Sequence, residues 1–249
     1  MATQRDLPEA ENPLLMKLGG FMPLSRDDRQ AIVHASRKVR SVQAHCDIIS
    51  DGERPNHVHL IIDGWAARYK ILPNGERQIT AYLIPGDFCD LHVTILREMD
   101  HGIVALTPVS VADISRHEMD TLCDDRPRLM RAMWWATLVD EGVLREWIVN
   151  IGRRDAYARI AHLMCEMHVR MRNVGRAEEG AFHLPLTQDH LADTLGLTPV
   201  HINRMLQRLR AEHLIELGGR TLTILDPVGL RSAAGFDASY LHNNEQNGR

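Results

Sequence analysis

The stretch Leu184-Pro-Leu-Thr-Gln-Asp-His-Leu-Ala-Asp-Thr-Leu-Gly-Leu-Thr-Pro-Val-His-Ile-Asn-Arg-Met-Leu-Gln-Arg-Leu209 decides the fold. Thr187 stands where a hydroxyl can accept an orphan backbone N–H at the start of a short helix over 188–195. Gly196 ends that helix, because glycine adopts the left-handed conformation of a C-terminal stop without steric cost. Thr198 caps a second helix, and Pro199 occupies its first position, where a missing N–H removes no hydrogen bond. Two helices joined by so short a glycine-containing turn form a helix-turn-helix.

The side chains agree with that geometry. Ala192 is small where the first helix meets the second, and Ile202, Met205, Leu206 and Leu209 share the inward face at helical spacing. Val200, Asn203, Arg204 and Gln207 point the other way, with His201 and Arg208 on the flank. Asn, Arg and Gln are the side chains able to make paired hydrogen bonds to adenine or guanine edges in a major groove. Asn203, Arg204 and Gln207 are therefore the base-reading candidates, and Val200 can offer only apolar contact. Thr187, Gln188, Thr198, His201 and Arg208 are candidates for phosphates. Beyond the second helix, Leu214-Ile-Glu-Leu-Gly-Gly-Arg-Thr-Leu-Thr-Ile-Leu225 reads as two short strands turning at Gly218-Gly219, with Arg220 at the tip of this wing and a further phosphate candidate.

Upstream, Ile160, Met164, Met167 and Met171 mark a helix whose methionines fill a core, and residues 173–180 read as a polar loop. Before that comes a long helix with Leu129, Met133, Ala136, Val143, Trp147 and Ile151 on one stripe, interrupted at Asp140. The preferred reading of this stripe is a seam with a second copy of the chain, over packing against a β-domain. Residues 41–115 read as strands and tight turns. Apolar segments at 58–62, 66–71, 78–83 and 109–114 are separated by Asp51-Gly52, Asp63-Gly64, Asn74-Gly75 and Pro85-Gly86, whose glycines supply positive φ. Such spacing suggests an antiparallel roll or barrel. The fold class is α+β. The expected divisions are 1–125 for the β-roll, 126–152 for the dimerisation helix, 153–233 for the winged helix-turn-helix and 234–249 for a disordered tail.

Composition supports an ordinary globular chain. Its 249 residues are 44% hydrophobic and 25% charged, with net charge −4. No apolar run approaches the roughly 18–20 residues of a membrane span, and the polar N-terminus does not read as a leader. No membrane association is expected. Cys46, Cys89, Cys123 and Cys165 are scattered without a CxxC pair, which argues against disulfides or a zinc finger and for a reducing, cytoplasmic setting. Residues 153–220 hold 10 Lys+Arg against 8 Asp+Glu, mildly basic on an acidic body.

Taken along its length, the chain resembles a Crp/Fnr-superfamily transcription regulator. The strongest part of the match is Leu186-Thr-Gln-Asp-His-Leu-Ala-Asp-Thr-Leu-Gly-Leu-Thr-Pro-Val-His-Ile-Asn-Arg204. The resemblance implies an effector-sensing roll of the cyclic-nucleotide-binding type, a dimer helix and a winged helix-turn-helix. Its implied partners are double-stranded DNA with a pseudo-palindromic operator, a second copy of the chain, and RNA polymerase. Arg204 matches the family's base-reading arginine, whereas Val200 stands where many members have glutamate. The family's phosphate cassette, Gly-Glu-Leu followed by Arg-Ser, has Asp90-Leu91 and His101-Gly102 in its place. Cyclic AMP is accordingly not expected, and Arg97 would serve only after a four-residue shift. The oxygen-sensing branch places its iron–sulfur cysteines near the N-terminus. The first cysteine here is Cys46, so no cluster is expected.

The effector candidates are Cys89, Asp90, Leu91 and Trp134. Cys89, His92 and His101 are close enough in sequence to suggest a metal, but packing is the preferred reading and no metal site is assigned. Trp134-Trp135 is read as packing the long helix onto the roll. One alternative function is a ligand-binding roll whose helix-turn-helix contacts protein. A metalloenzyme reading from His57, His59 and Asp63 is set aside, because Asp63-Gly64 reads as a turn and no nucleophile elbow or phosphate loop is present. The chain is expected not to be an enzyme.

Overall fold

Turn chemistry sets the path of the N-terminal half. Gly64 sits at φ +88°, and a Cβ there would lie 2.4 Å from the Pro108 carbonyl oxygen, so only glycine carries the chain from one sheet to the other at this point. The computed structural model describes residues 3–4, 9–96 and 98–242. These residues form two compact units, 1–138 and 139–249.

The first unit holds β1 (Thr3–Gln4), α1 (Pro13–Gly19), α2 (Arg26–Ala35), β2 (Lys38–Val42), β3 (Asp47–Ile49), β4 (His57–Asp63), β5 (Ala66–Ile71) and β6 (Arg77–Leu83). It continues through α3 (Val93–Leu96), β7 (Gly102–Ala105), β8 (Val109–Ser115) and α4 (Arg116–Asp125) into the long α5 (Pro127–Arg153). Its strands make two antiparallel sheets, β1-β2-β8-β4 and β3-β7-β5-β6, with a buried interior that includes Leu60, Ile61, Ile79, Tyr82 and Val111. All four segments read as strands are strands, within a residue or so at each end. Serine boxes start two helices: Ser25 and Asp28 satisfy each other's backbone N–H at α2, as do Ser115 and Glu118 at α4.

The second unit takes in the end of α5, then α6 (Ala156–Asn173), β9 (Ala177–Glu178), β10 (Ala181–His183), α7 (Gln188–Leu195), α8 (Pro199–Ala211), β11 (Ile215–Gly218), β12 (Thr221–Ile224), α9 (Pro227–Ala234) and a 3-10 turn at Ala238–Leu241. Its sheet runs β11-β12-β10-β9. The polar loop expected over 173–180 thus contains β9, the sheet's edge strand.

The long helix expected over 126–152 is α5, Pro127–Arg153, and the boundary between the two units falls inside it. Two expectations are corrected. The stripe expected to form a seam between copies is buried within the chain's own fold at Leu129, Met133, Ala136, Val143 and Trp147, with Ile151 half-buried. The tail expected to be disordered from 234 is ordered through His242, with Ala238 and Leu241 buried. There Tyr240 donates to the fully buried Glu166 (2.9 Å), which also accepts from Trp147 Nε1 (3.0 Å) and Arg170 (3.4 Å). Residues 243–249 lie outside the described residues.

Candidate nucleic-acid interface

The helix-turn-helix forms as its caps dictate. At α7 the Thr187 hydroxyl accepts from His190 N (3.1 Å), and Thr187 N donates to His190 Nδ1 (3.3 Å). This is a capping box in which an imidazole does the work usually given to Glu or Gln. Gly196 closes α7 at φ +63°, ψ +42°. Thr198 then accepts from His201 N (3.3 Å) to open α8. Arg159 of α6 donates to Leu195 O (3.1 Å), which ties the end of α7 to the helix beneath.

Ile202, Leu206 and Leu209 anchor α8 inside, each worth about 1.5–3 kcal/mol when fully removed from water. Met205 is only half-buried. The opposite face is open, with Val200 80% exposed, Arg204 and Gln207 exposed, and Asn203 and His201 half-buried. Thr187, Gln188 and Thr198 are exposed at the two helix starts, where free backbone N–H groups and the helix dipole favour an anion. Arg208 is the exception among the phosphate candidates. It bonds Glu212 (2.8 Å) and lies over the Tyr157 ring at 4.1 Å, and Glu212 also accepts from the Tyr157 hydroxyl.

The wing pairs Gly218 with Thr221, so the turn residues are Gly219 (φ +57°) and Arg220 (φ +65°). Two consecutive positive φ values are the type I′ geometry that matches strand twist. Arg220 is exposed at the tip of this hairpin.

The effector candidates fare differently. Cys89 is wholly buried, and burial with the nearby Asp90 holds its thiol well above the ordinary range. The Asp90 carboxylate, also fully buried, is consumed by His59, accepting from its backbone N and meeting Nδ1, both at 2.7 Å. His59 Nε2 faces Asp113 (3.6 Å), which Arg40 holds at 2.9 Å. Arg68 donates to Phe88 O (2.9 Å) and Cys89 O (3.3 Å). The cassette segment is therefore stitched into the roll by its own polar groups. Leu91 is half-buried, and Arg97 lies outside the described residues.

Of the tryptophan pair, Trp135 stacks on Phe21 (5.6 Å, 5°), whereas Trp134 is 64% exposed and does not pack the helix down. Sequence reasoning missed Asp100. It meets His101 Nδ1 at 2.6 Å, and the His101 ring lies 5.7 Å from that of His92. Burial and His101 lower the His92 pKa. Among the described residues no helix is long and apolar enough to cross a membrane, and all four cysteines are free.

Residues 39–126 match the cyclic nucleotide-binding domain, and residues 158–233 match the Crp-like helix-turn-helix domain. The transcriptional activator protein FnrL of Cereibacter sphaeroides is 27% identical over 203 residues, covering 80% of this chain and 81% of its own. The nitrogen fixation regulation protein FixK of Bradyrhizobium diazoefficiens is 24% identical over 81% of this chain and 83% of its own. The structure of FixK2 from Bradyrhizobium japonicum shares the fold, with TM-score 0.72 at 24% identity over 80% of this chain and 98% of that one. With both domains matched in the order that the helices and sheets display, the chain belongs to the Crp/Fnr family, whose members are transcription regulators with a DNA-binding helix-turn-helix and not enzymes.

Proposed function

We propose that this chain acts in the cytoplasm as a homodimer that reads a pseudo-palindromic operator, under control of an effector other than cyclic AMP. The observation that carries the reading is the outer face of α8, where Val200, Arg204 and Gln207 stand exposed beside capped helix starts and an arginine-tipped wing. Arg204, Asn203 and Gln207 read base edges. Val200 meets a thymine methyl where a glutamate would have accepted from cytosine. Thr187, Gln188, Thr198, His201 and Arg220 hold phosphates, and Arg208 joins them on leaving Glu212.

Dimerisation uses the α5 face one residue round from the buried stripe. Met130, Trp134, Leu144 and Ile148 are exposed there as two pairs four residues apart, with 130/144 and 134/148 each two heptads apart. Trp134 thereby belongs to the subunit seam and to any effector bound against it. The effector acts through α5, the one helix that runs from the sensor unit into the DNA-binding unit, by setting the separation of two recognition helices. Names of relatives as transcriptional activators support contact with RNA polymerase as the output.

The test is selection of binding sites from a random duplex library, followed by affinity measurements on single-base variants. Arg204→Ala should cost about 1–3 kcal/mol and relax preference at one position of each half-site. Equal weakening on every sequence would overturn the base-reading role.

A further inference from the structure

We propose that the sensor roll holds a divalent transition-metal ion on His92, Asp100 and His101. His92 lies in the turn that leads into α3, and Asp100 and His101 immediately precede β7. Each offers one ligand atom, and these atoms all lie within 4.8 Å of one another. A tetrahedral ion with bonds of about 2.1 Å holds its ligand atoms about 3.4 Å apart, so rotation of the three side chains, the Asp100–His101 pair opening from its hydrogen bond, completes the set.

The second observation concerns His101 itself. Its Nδ1 is held by Asp100 at 2.6 Å, while its Nε2 is buried and meets no hydrogen-bond partner among the described residues. A buried ring nitrogen without a partner is costly. Asp100 cannot hold Nδ1 and ligate an ion on Nε2 at once, so loading moves its exposed carboxylate off Nδ1 and onto the ion. His92 and His101 supply the nitrogens, and Asp100 supplies the charge.

The backbone around them is fixed. The Tyr69 ring lies where a side chain at Gly102 would be, since a Cβ there would come within 2.5 Å of it. Lys70 donates to the Asp100 carbonyl. Arg68 donates to the Phe88 and Cys89 carbonyls. The Asp100 side chain is 86% exposed, which leaves a path for an ion. The set differs from the one the sequence suggests: Cys89, buried and protonated, gives way to Asp100. Two imidazoles and a carboxylate suit Zn²⁺, Co²⁺, Ni²⁺ or Fe²⁺ over Mg²⁺ or Ca²⁺.

This site goes beyond the DNA-binding reading and stands without it, because metal binding is measured on the protein alone. The tag-free full chain, stripped with a chelator, is dialysed against Co²⁺ and separately Zn²⁺, with bound metal counted by mass spectrometry and Co²⁺ followed by its visible bands. The expected result is one saturable ion per chain, with no thiolate charge-transfer band. His92→Gln and His101→Gln should each weaken binding at least 10-fold, whereas Cys89→Ser and the exposed His117→Ala leave it unchanged. Asp100→Asn, at an exposed side chain, provides a fold-safe variant that should weaken binding by at least about 10-fold. Absence of saturable binding, or affinity unmoved by Asp100→Asn and by whichever histidine variants keep the wild-type circular dichroism, would overturn the site.

Discussion

Tyr240→Phe tests whether the C-terminal segment is part of the folded unit. The substitution removes one hydroxyl and keeps the ring, which stacks on His162 (6.1 Å, 15°) and meets Phe236 edge-on (6.2 Å, 79°). Apolar packing is thus preserved, and what is lost is the 2.9 Å hydrogen bond to Glu166. Glu166 is fully buried, and burial pushes its pKa up against the opposing pull of Arg170, Tyr240 and Trp147. A hydrogen bond to a charged group is worth about 1.5–3 kcal/mol, and here its loss leaves a buried carboxylate with two partners in place of three. A cost of about 2 kcal/mol follows, or roughly 8 °C in the melting of a unit this size. Differential scanning calorimetry resolves that transition. The Tyr240 phenol, itself pushed far up by burial and by Glu166, stays a donor throughout the usable pH range. The cost should therefore shrink as pH falls and the buried Glu166, its pKa raised, takes up a proton. A chain ending at Phe236 should lose at least as much. If Tyr240→Phe shifted the transition by less than about 2 °C, corresponding to about 0.5 kcal/mol, the packed segment and its role as a clamp on α6 would both be refuted.

Two further outcomes follow from the same unit and from α5. His162 is buried, and burial followed by the nearby Arg154 lowers its pKa to about 4, against the pull of Glu146. The unfolded chain, with a histidine pKa of about 6.5, then binds more protons than the folded one, so stability present above pH 6.5 is lost as pH falls towards 4. Unfolding free energies from urea titrations should drop over that window by an amount on the order of 1–3 kcal/mol, and His162→Gln should flatten the difference. Ile148→Asp places a charge on a residue that is 72% exposed, so folding should be untouched while sedimentation equilibrium moves from dimer to monomer. An undiminished dimer would exclude this face as the seam.

Much of the recognition unit was legible because its signals are local. Thr187, Gly196, Thr198 and Pro199 each act on backbone groups within a few residues, and the observed α7 and α8 begin and end where those residues dictate. The β4 to β6 strands were legible for the same reason, through their glycine turns. Helices α2 and α4 went unread although Ser25-Arg-Asp-Asp28 and Ser115-Arg-His-Glu118 carry the capping signature. The strand β9 and the ordered end of the chain had no such signal. Tyr240 is bonded to Glu166, 74 residues away, and β10 pairs β9 on one edge and β12, about 40 residues on, along the other. The partner of Asp90 was illegible for the same reason, since His59, which bonds it, lies 31 residues upstream.

The long helix shows why periodicity locates an apolar face without saying what covers it. In α5 two apolar stripes run side by side, Leu129, Met133, Ala136, Val143 and Trp147 on one, Met130, Trp134, Leu144 and Ile148 on the next. Both keep heptad register, the first at intervals of four, three, seven and four and the second with 130/144 and 134/148 each two heptads apart, so either could serve as a seam between copies. Three-dimensional packing separates them. The first is covered by the chain's own fold, whereas the second remains in water although it carries a tryptophan and an isoleucine. Large apolar side chains exposed together on one helix face mark a surface that takes a partner. The one residue of rotation between the stripes, about 100° on a helix, decides whether a substitution empties a core or splits a dimer. Trp147 and Ile148 are therefore adjacent in sequence and opposite in consequence: truncating the first should lower stability at any protein concentration, and charging the second should act only through association.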